Sequence, residues 1–301
     1  MDPKISIILP NYNHASYLVA RWESILAQTF TDYEIILLDD ASTDNSKELL
    51  AGFAKHPKVS HFVVNEQNSG SPFKQWRKGL ELAKGEFVWI AESDDSAHPE
   101  LLAELTKLIE PQTVLAYSAS EVIDQEGQNM GRNRWADGLD PLRWQGDYKN
   151  KGVDEVRSYL AFRNTIPNAS AVIVRREELL KLDFPTDFNF CGDWMLWSEL
   201  LRLGNIAYTS KQLNQFRKHQ ASTRSTKSFS EEKRRVSEYK AVIKRNLPWP
   251  SRLFQVKKYD WILQEMHKKR YGMGKRSVFK VGLPFPLVLR YLYLRVYKKL
   301  P

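Results

Sequence analysis

Four short polar turns hold most of the chemistry this sequence offers. They are Pro10-Asn11-Tyr12-Asn13, the run from Asp39 to Asp44, the run from Asn65 to Gly70, and Glu92-Ser93-Asp94-Asp95. Each follows a short apolar segment, and two are rich in carboxylates. Carboxylates at this spacing repel one another unless a cation or hydrogen-bond donors lie between them. A divalent ion held by one or two carboxylates and by phosphate oxygens is one remedy. The structural alternative is a set of turns and helix caps, where Asp, Ser and Thr are favoured. No Gly-x-Gly-x-x-Gly follows the first apolar segment and no Walker A sequence occurs, which counts against a dinucleotide-binding domain and a P-loop.

The elements that must carry these turns follow from the apolar segments. Ile5-Ser6-Ile7-Ile8-Leu9, Glu34-Ile35-Ile36-Leu37-Leu38, Val59 to Val64 and Glu86-Phe87-Val88-Trp89-Ile90 have strand length and are β-branched or aromatic. Helical stretches are predicted near 16–27, 43–55 and 73–84, with Ser42, Thr43 or Asp44 as cap of the second. Alternation at this spacing predicts βαβ units and an α/β fold with a mostly parallel sheet flanked by helices. In such sheets ligands bind beyond the carboxyl ends of the strands, where the polar turns fall. Farther on, Thr113 to Ser118 and Ala169 to Val174 read as strands, and Asp193 to Leu203 as a helix. Residues 126–152 read as a long loop. Beyond 229 helices are expected, broken at Pro248-Trp249-Pro250 and Pro284-Phe285-Pro286.

The chain has 301 residues, 42% hydrophobic and 27% charged, enough for a substantial core. A single cysteine, Cys191, excludes an internal disulfide framework and reads as a small buried residue. Neither a secretory signal nor a transmembrane helix is expected, which makes a cytoplasmic location the default. The net charge of +9 is unevenly spread. Residues 1–100 carry 9 basic and 15 acidic side chains, whereas residues 211–301 carry 24 basic and 5 acidic. An acidic front and a basic back suggest two jobs along one chain.

Three segments of the front, taken in order, resemble a known family. Ile5 to Asn13, with its Pro-x-Tyr-Asn turn, Leu38 to Asp44, and Gly79 to Asp95 resemble the family 2 glycosyltransferases of the GT-A fold. The resemblance is strong over the first third and looser to about residue 225. It implies a catalytic domain over 1–225, with a nucleotide-sugar and metal half at 1–110 and an acceptor half at 111–225. A helical basic region follows over 226–301.

The resemblance also implies roles. Pro10, Tyr12 and Asn13 line the nucleotide pocket, and Asp39 or Asp40 hydrogen-bonds the base or ribose. Glu92, Ser93 and Asp94 occupy the family's Asp-x-Asp position, with Glu in place of the first Asp. Asp94 is the expected ligand of Mn²⁺ or Mg²⁺, and Asp95 is the alternative. Lys74 or Arg77 is placed to reach a phosphate, or is an ordinary solvated helix residue. Asp193, in Cys191-Gly192-Asp193-Trp194, is the implied general base; an N-cap is its bland alternative. Arg217 and His219 match a late segment implied to contact the diphosphate or complete the metal sphere. His14, His56, His61, His98 and His267 receive no role.

Residues 285–300 form an amphipathic basic pattern. Arg290, Arg295, Lys298 and Lys299 fall on one half of a helical wheel, and Phe285, Leu289, Leu292, Tyr293, Val296, Tyr297 and Leu300 on the other. Interleaved aromatics and cations suit an anionic membrane surface, each cation contributing roughly 1 kcal/mol. The expected protein is an inverting, metal-dependent glycosyltransferase. It would move sugar from a nucleoside-diphosphate sugar to a hydroxyl of a glycan or lipid-linked saccharide in cell-surface polysaccharide synthesis, at the inner face of the membrane. The acceptor is expected to be chosen by residues 126–170. No nucleic-acid partner is expected. The rivals are a sugar-1-phosphate nucleotidyltransferase and a non-catalytic nucleotide-sugar or nucleic-acid binding protein.

Overall fold

The computed structural model describes residues 2–219, 228–247, 256–267, 283 and 285–297. The chain opens with β1 (Ile5–Asn11), α1 (Ala15–Leu26), β2 (Tyr33–Asp39), α2 (Ser46–Phe53), β3 (Val59–Val64), α3 (Pro72–Leu82) and β4 (Phe87–Ile90). β1, β2 and β4 are buried along their whole length. That explains why their sequences are continuous apolar runs rather than alternating ones. β2 and β4 flank β1 in parallel, and β3 pairs with β2. The helices press their apolar stripes on the sheet. α3 comes close enough that a Cβ at Gly79 would lie 2.4 Å from Ile8, so only glycine fits there.

The second half contains β5 (Ser96–Ala97), α4 (Leu101–Lys107), β6 (Thr113–Ile123), β7 (Asn129–Arg132), β8 (Tyr148–Lys151), α5 (Gly152–Glu155), β9 (Val172–Arg175), α6 (Arg176–Leu180), α7 (Gly192–Leu200) and β10 (Asn205–Arg217). The ten strands form one sheet with the path β3-β2-β1-β4-β9-β6-β10-β5. β9 runs antiparallel between β4 and β6, and β6 and β10 are parallel. The start of β9 therefore lies at the same edge as the ends of β1, β4, β6 and β10. This inserted strand brings Asn168 and Ser170 to the polar edge.

Two expectations are corrected here. The segment 126–152 is not one loop, since β7 pairs with β6 and β8 with β10. The cap position of α2 is Asn45, not Ser42, Thr43 or Asp44. The Asp44 carboxylate instead ties the turn to α1, accepting from Ala15 N at 2.9 Å and Ser46 N at 3.0 Å.

After the sheet come α8 (Phe229–Asn246), α9 (Asp260–His267) and α10 (Phe285–Val296). α8 starts in a capping box between Ser228 and Glu231. α10 buries Leu287, Tyr291 and Leu294, and Arg290 forms a two-pronged ion pair with Asp260 at 2.8 and 2.6 Å. The face toward the protein thus differs from the apolar half expected on the wheel. That expected half, Phe285, Leu289, Leu292, Tyr293, Val296 and Tyr297, is exposed. Pro248-Trp249-Pro250, Pro284, Lys298, Lys299 and Leu300 lie outside the described residues. No helix of the described residues is long and apolar enough to cross a membrane.

Candidate active site

Each turn is built at a strand end. At the end of β1, the buried Asn11 amide donates to Asp39 Oδ2 at 3.0 Å and Ser42 Oγ at 3.1 Å. Asn13 takes φ of 56° and receives Thr43 N at 2.7 Å on its side-chain oxygen. Ala41 takes φ of 61°. Asn adopts the left-handed region readily, so the strain lies at Ala41, of the kind found at functional turns. Pro10 is buried within β1 opposite Leu38, while the Tyr12 ring is 45% exposed at the rim.

Asp39 and Asp40 are held differently. Asp39 receives Asn11 and, at 2.8 Å, the Ser42 N–H. Asp40 receives four donors between 2.6 and 2.9 Å: Asn65 Nδ2, Ser69 N, Ser69 Oγ and Gln75 Nε2. A carboxylate has about four acceptor positions, so Asp40 is saturated and Asp39 is not. Lys74 donates to the Ser69 carbonyl at 3.1 Å, beside this turn. Arg77 forms an exposed pair with Glu81 at 2.9 Å on the outside of α3, so nothing in its contacts draws it to the strand ends.

The Glu92–Asp95 turn places its carboxylates in three settings. Glu92 accepts the Trp76 indole N–H at 2.8 Å; burial, then the charge of Asp94, pushes its pKa up to about 8. Asp95 accepts Arg217 N and Asn168 Nδ2, each at 2.9 Å, and burial followed by Asp94 pushes it up to about 6. Asp95 is thereby a buried link between strands, outside the cluster that His14, Asp94 and His219 form. Asp94 faces two imidazoles. Burial pushes its carboxyl up, but the hydrogen bond from His219 and the charges of His14 and His219 outweigh that and hold it below the usual range.

His219 Nε2 lies 2.9 Å from Asp94 Oδ2, and its side chain is 2% exposed. His14, Asp94 and His219 have ligand atoms within 4.8 Å of one another. Ser93 Oγ, on the same turn, lies 2.8 Å from His14 Nδ1. Arg217 supports the turn by donating to Asp94 O at 2.8 Å and Asp124 O at 2.9 Å. One carboxylate and two imidazoles make a donor set that suits a divalent ion.

Arg21 is the buried cation beneath this turn. It donates to Glu92 O at 2.8 Å and Ser170 Oγ at 3.1 Å, and burial lowers its pKa to about 10 against the pull of Asp95, Asp94 and Glu92. Sequence reasoning missed Arg21 and His14. The signal for Arg21 was a cation on the apolar stripe Leu18, Trp22, Ile25 of α1. For His14 it was only proximity to the Asn11–Asn13 turn.

Asp193 sits in the first turn of α7. Its carboxylate accepts Asn164 Nδ2 at 2.9 Å and Trp194 N at 2.7 Å, and the helix N-terminus favours its negative form. The cap position itself belongs to Cys191. A Cβ at Gly192 would meet the Phe73 ring at 2.4 Å, so glycine lets α7 close on α3. The loop before it is tied to α8: Asn189, Phe190 and Cys191 donate their N–H groups to Glu238 at 2.9, 2.8 and 3.0 Å. A cavity of about 280 Å³ is lined in part by Arg132, Arg134, Trp135 and Lys218, the last adjacent in sequence to His219. Trp135 donates its indole N–H to Asn164 O at 2.9 Å, which connects the cavity wall to Asp193 through Asn164.

Comparison with known proteins decides the family. The profile of glycosyl transferase family 2 matches residues 6–169, more than half of the chain. The chain belongs to glycosyl transferase family 2. It is therefore a glycosyl-transfer enzyme. It is 27% identical over 207 residues to the Bacillus subtilis protein TuaG, named for teichuronic acid biosynthesis, covering 68% of this chain and 75% of that one. It is 36% identical over 104 residues to the Staphylococcus aureus poly(ribitol-phosphate) β-N-acetylglucosaminyltransferase TarP, covering 34% of this chain and 32% of TarP. The chain thus spans only about a third of that relative. In fold, this glycosyltransferase resembles S. aureus TarS 1–349, solved with UDP-GlcNAc, at a TM-score of 0.65 and 17% identity, over 96% of this chain and 79% of that one. The Pyrobaculum calidifontis mannosyltransferase solved with GDP-Man and Mn²⁺ gives 0.62 at 16% identity, over 98% and 81%. The α/β architecture is of the GT-A type, with helices flanking the sheet and a helical C-terminal region.

Proposed function

We propose that this glycosyltransferase is inverting and metal-dependent, and moves sugar from a nucleoside-diphosphate sugar to a hydroxyl of a cell-surface glycan or a lipid-linked saccharide. The observation that carries the reading is the pairing of Asp94 with His219 at the strand ends, with Asp193 held separately by Asn164 on α7. One group is suited to a cation and a diphosphate, the other to a proton. The donor classes of TarS and the Pyrobaculum enzyme, and the Mn²⁺ of the latter, support the same division.

In this reading Asp94 and His219 hold the metal, and a divalent ion bound there supplies positive charge for the departing nucleoside diphosphate. Tyr12 lies against the base from the rim. Asp39, with acceptor capacity left, takes an N–H or O–H of the nucleoside, while Asp40 fixes the turn. Asp193 takes the proton of the acceptor hydroxyl as its oxygen attacks the anomeric carbon. Asn164 holds that carboxylate in orientation. The acceptor glycan lies along the cavity at Trp135. The catalytic unit is 1–225, and the region 226–301 meets an anionic membrane surface through the exposed apolar stripe of α10.

The test is turnover of UDP- and GDP-sugars with Mn²⁺, with and without acceptor. Asp94→Ala and Asp193→Asn should each lower transfer by about a hundredfold or more. Unchanged activity in both would overturn the site assignment. For the membrane arm, co-sedimentation with phosphatidylserine vesicles should fall when Phe285, Leu289 and Val296 are replaced by Ser. Equal binding would exclude it.

A further inference from the structure

The family resemblance leads one to expect carboxylates at both outer positions of the Asp-x-Asp segment. This chain has Glu92 at the first, and its carboxyl is bonded to the Trp76 indole, outside the cluster formed by His14, Asp94 and His219. A second carboxylate ligand is therefore missing from the place where the resemblance puts it. Instead, a second imidazole stands there. His14 comes from the start of α1, Asp94 from the turn after β4 and His219 from the residues after β10. The His14 and His219 rings are 5.6 Å apart between centroids and perpendicular. Ser93 lies on Nδ1 of His14, which leaves Nε2 for a ligand. Such an outer partner fixes ring orientation in metal sites. In the buried His219 ring, Nε2 meets Asp94 and Nδ1 has no hydrogen-bond partner among the described residues.

We propose that His14 is a third protein ligand of the metal, and that the site selects an ion of the Mn²⁺, Co²⁺ or Zn²⁺ class over Mg²⁺. This rests on the metal-dependent reading above and adds the ligand and the ion class. Imidazole nitrogen suits those ions, whereas Mg²⁺ prefers oxygen donors and parts reluctantly with its waters. Two nitrogens and one carboxylate oxygen bind the transition ion without help from a nucleotide. Mg²⁺ gains little from the same set.

The test uses the metal alone. Co²⁺ is titrated into metal-stripped full-length protein without nucleotide, and binding is read from the visible absorption of the ion and by calorimetry. One Co²⁺ should bind, and a hundredfold excess of Mg²⁺ should not displace it. His14→Ala should weaken Co²⁺ by about tenfold or more, and change the absorption band. His14→Asp should keep binding and move the preference toward Mg²⁺. Co²⁺ affinity within twofold of wild type in a folded His14→Ala protein, or ready displacement by Mg²⁺, overturns the proposal. If His14→Ala does not fold, the His14→Asp protein decides: an unchanged preference between Co²⁺ and Mg²⁺ overturns it. Asp94→Asn separates the two readings. Loss of Co²⁺ in Asp94→Asn but not in His14→Ala sinks only the His14 proposal. No binding by the unaltered protein without nucleotide sinks the His14 proposal; no binding with UDP present as well sinks both.

Discussion

The Asp39–Asp44 turn and the Glu92–Asp95 turn sit on the same sheet edge and have similar acidity, yet they are built in opposite ways. In the first, neutral donors from Asn11, Ser42, Asn65, Ser69 and Gln75 converge on Asp39 and Asp40. In the second, three carboxylates crowd over one buried guanidinium, and two are pushed upward in pKa by burial and by their neighbour. Only Asp94 is held low, and its partners are imidazoles. Acid-rich composition therefore does not distinguish a turn stabilised by its own carboxylates from one that sets a carboxylate among imidazoles. The position of the donors does.

Substitutions can break that contrast. The largest effect is on chemistry: Asp94→Ala should lower transfer by about a hundredfold or more and leave the melting temperature close to that of the parent. A large loss of thermal stability would mean that the second turn is structural as well. Asp40→Ala should do the reverse. It strands four donors, one of them on the buried Gln75, and should cost about 2 kcal/mol in chemical denaturation; a stable variant would show that the first turn does not depend on its carboxylate. Arg21→Met should destabilise by a similar amount, by leaving the carboxylates without their buried counter-charge.

A smaller effect separates the turns by pH. Burial raises the pKa of Asp44, but the hydrogen bonds from Ser46 and Ala15 outweigh it and leave the folded value below 3.8. Its contribution to stability is full above 3.8 and disappears as pH falls through the folded value. Asp44→Asn should therefore flatten the acid limb of a melting-temperature profile and leave the neutral region parallel to the parent. An unchanged acid limb would remove Asp44 from the account. The smallest change is Ala41→Gly, which relieves the left-handed residue and should stabilise by up to about 1 kcal/mol. A destabilised variant would show that Ala41 is not strained.

Much of the donor edge was legible because local pattern and fold agree there. The four apolar runs became β1 to β4 within one or two residues at each end, and the polar turns after them lie together. The His14–His219 meeting was not legible. It depends on β10 returning to the edge some two hundred residues later, and a lone histidine has no spacing signal. Nor could the sequence place Asn168 and Ser170 under the acidic turn, since that requires β9 to run backwards between β4 and β6. On α10 the wheel found the apolar arc, but apolar residues lie nearly all round this helix. Packing against α9 and the 3₁₀ turn Val256–Tyr259 chose the arc of Leu287, Tyr291 and Leu294.

Glu238 has a consequence for how such an enzyme can diverge. Its carboxylate gathers three successive N–H groups immediately ahead of Gly192 and Asp193, from a helix beyond the stretch that the family profile matches. The implied base is thus aimed partly from downstream. Drift in α8 can re-aim Asp193 by fractions of an ångström while every residue of the donor edge stays the same. In the function proposed above, acceptor preference and pH response then change by inheritance through a helix outside the matched stretch.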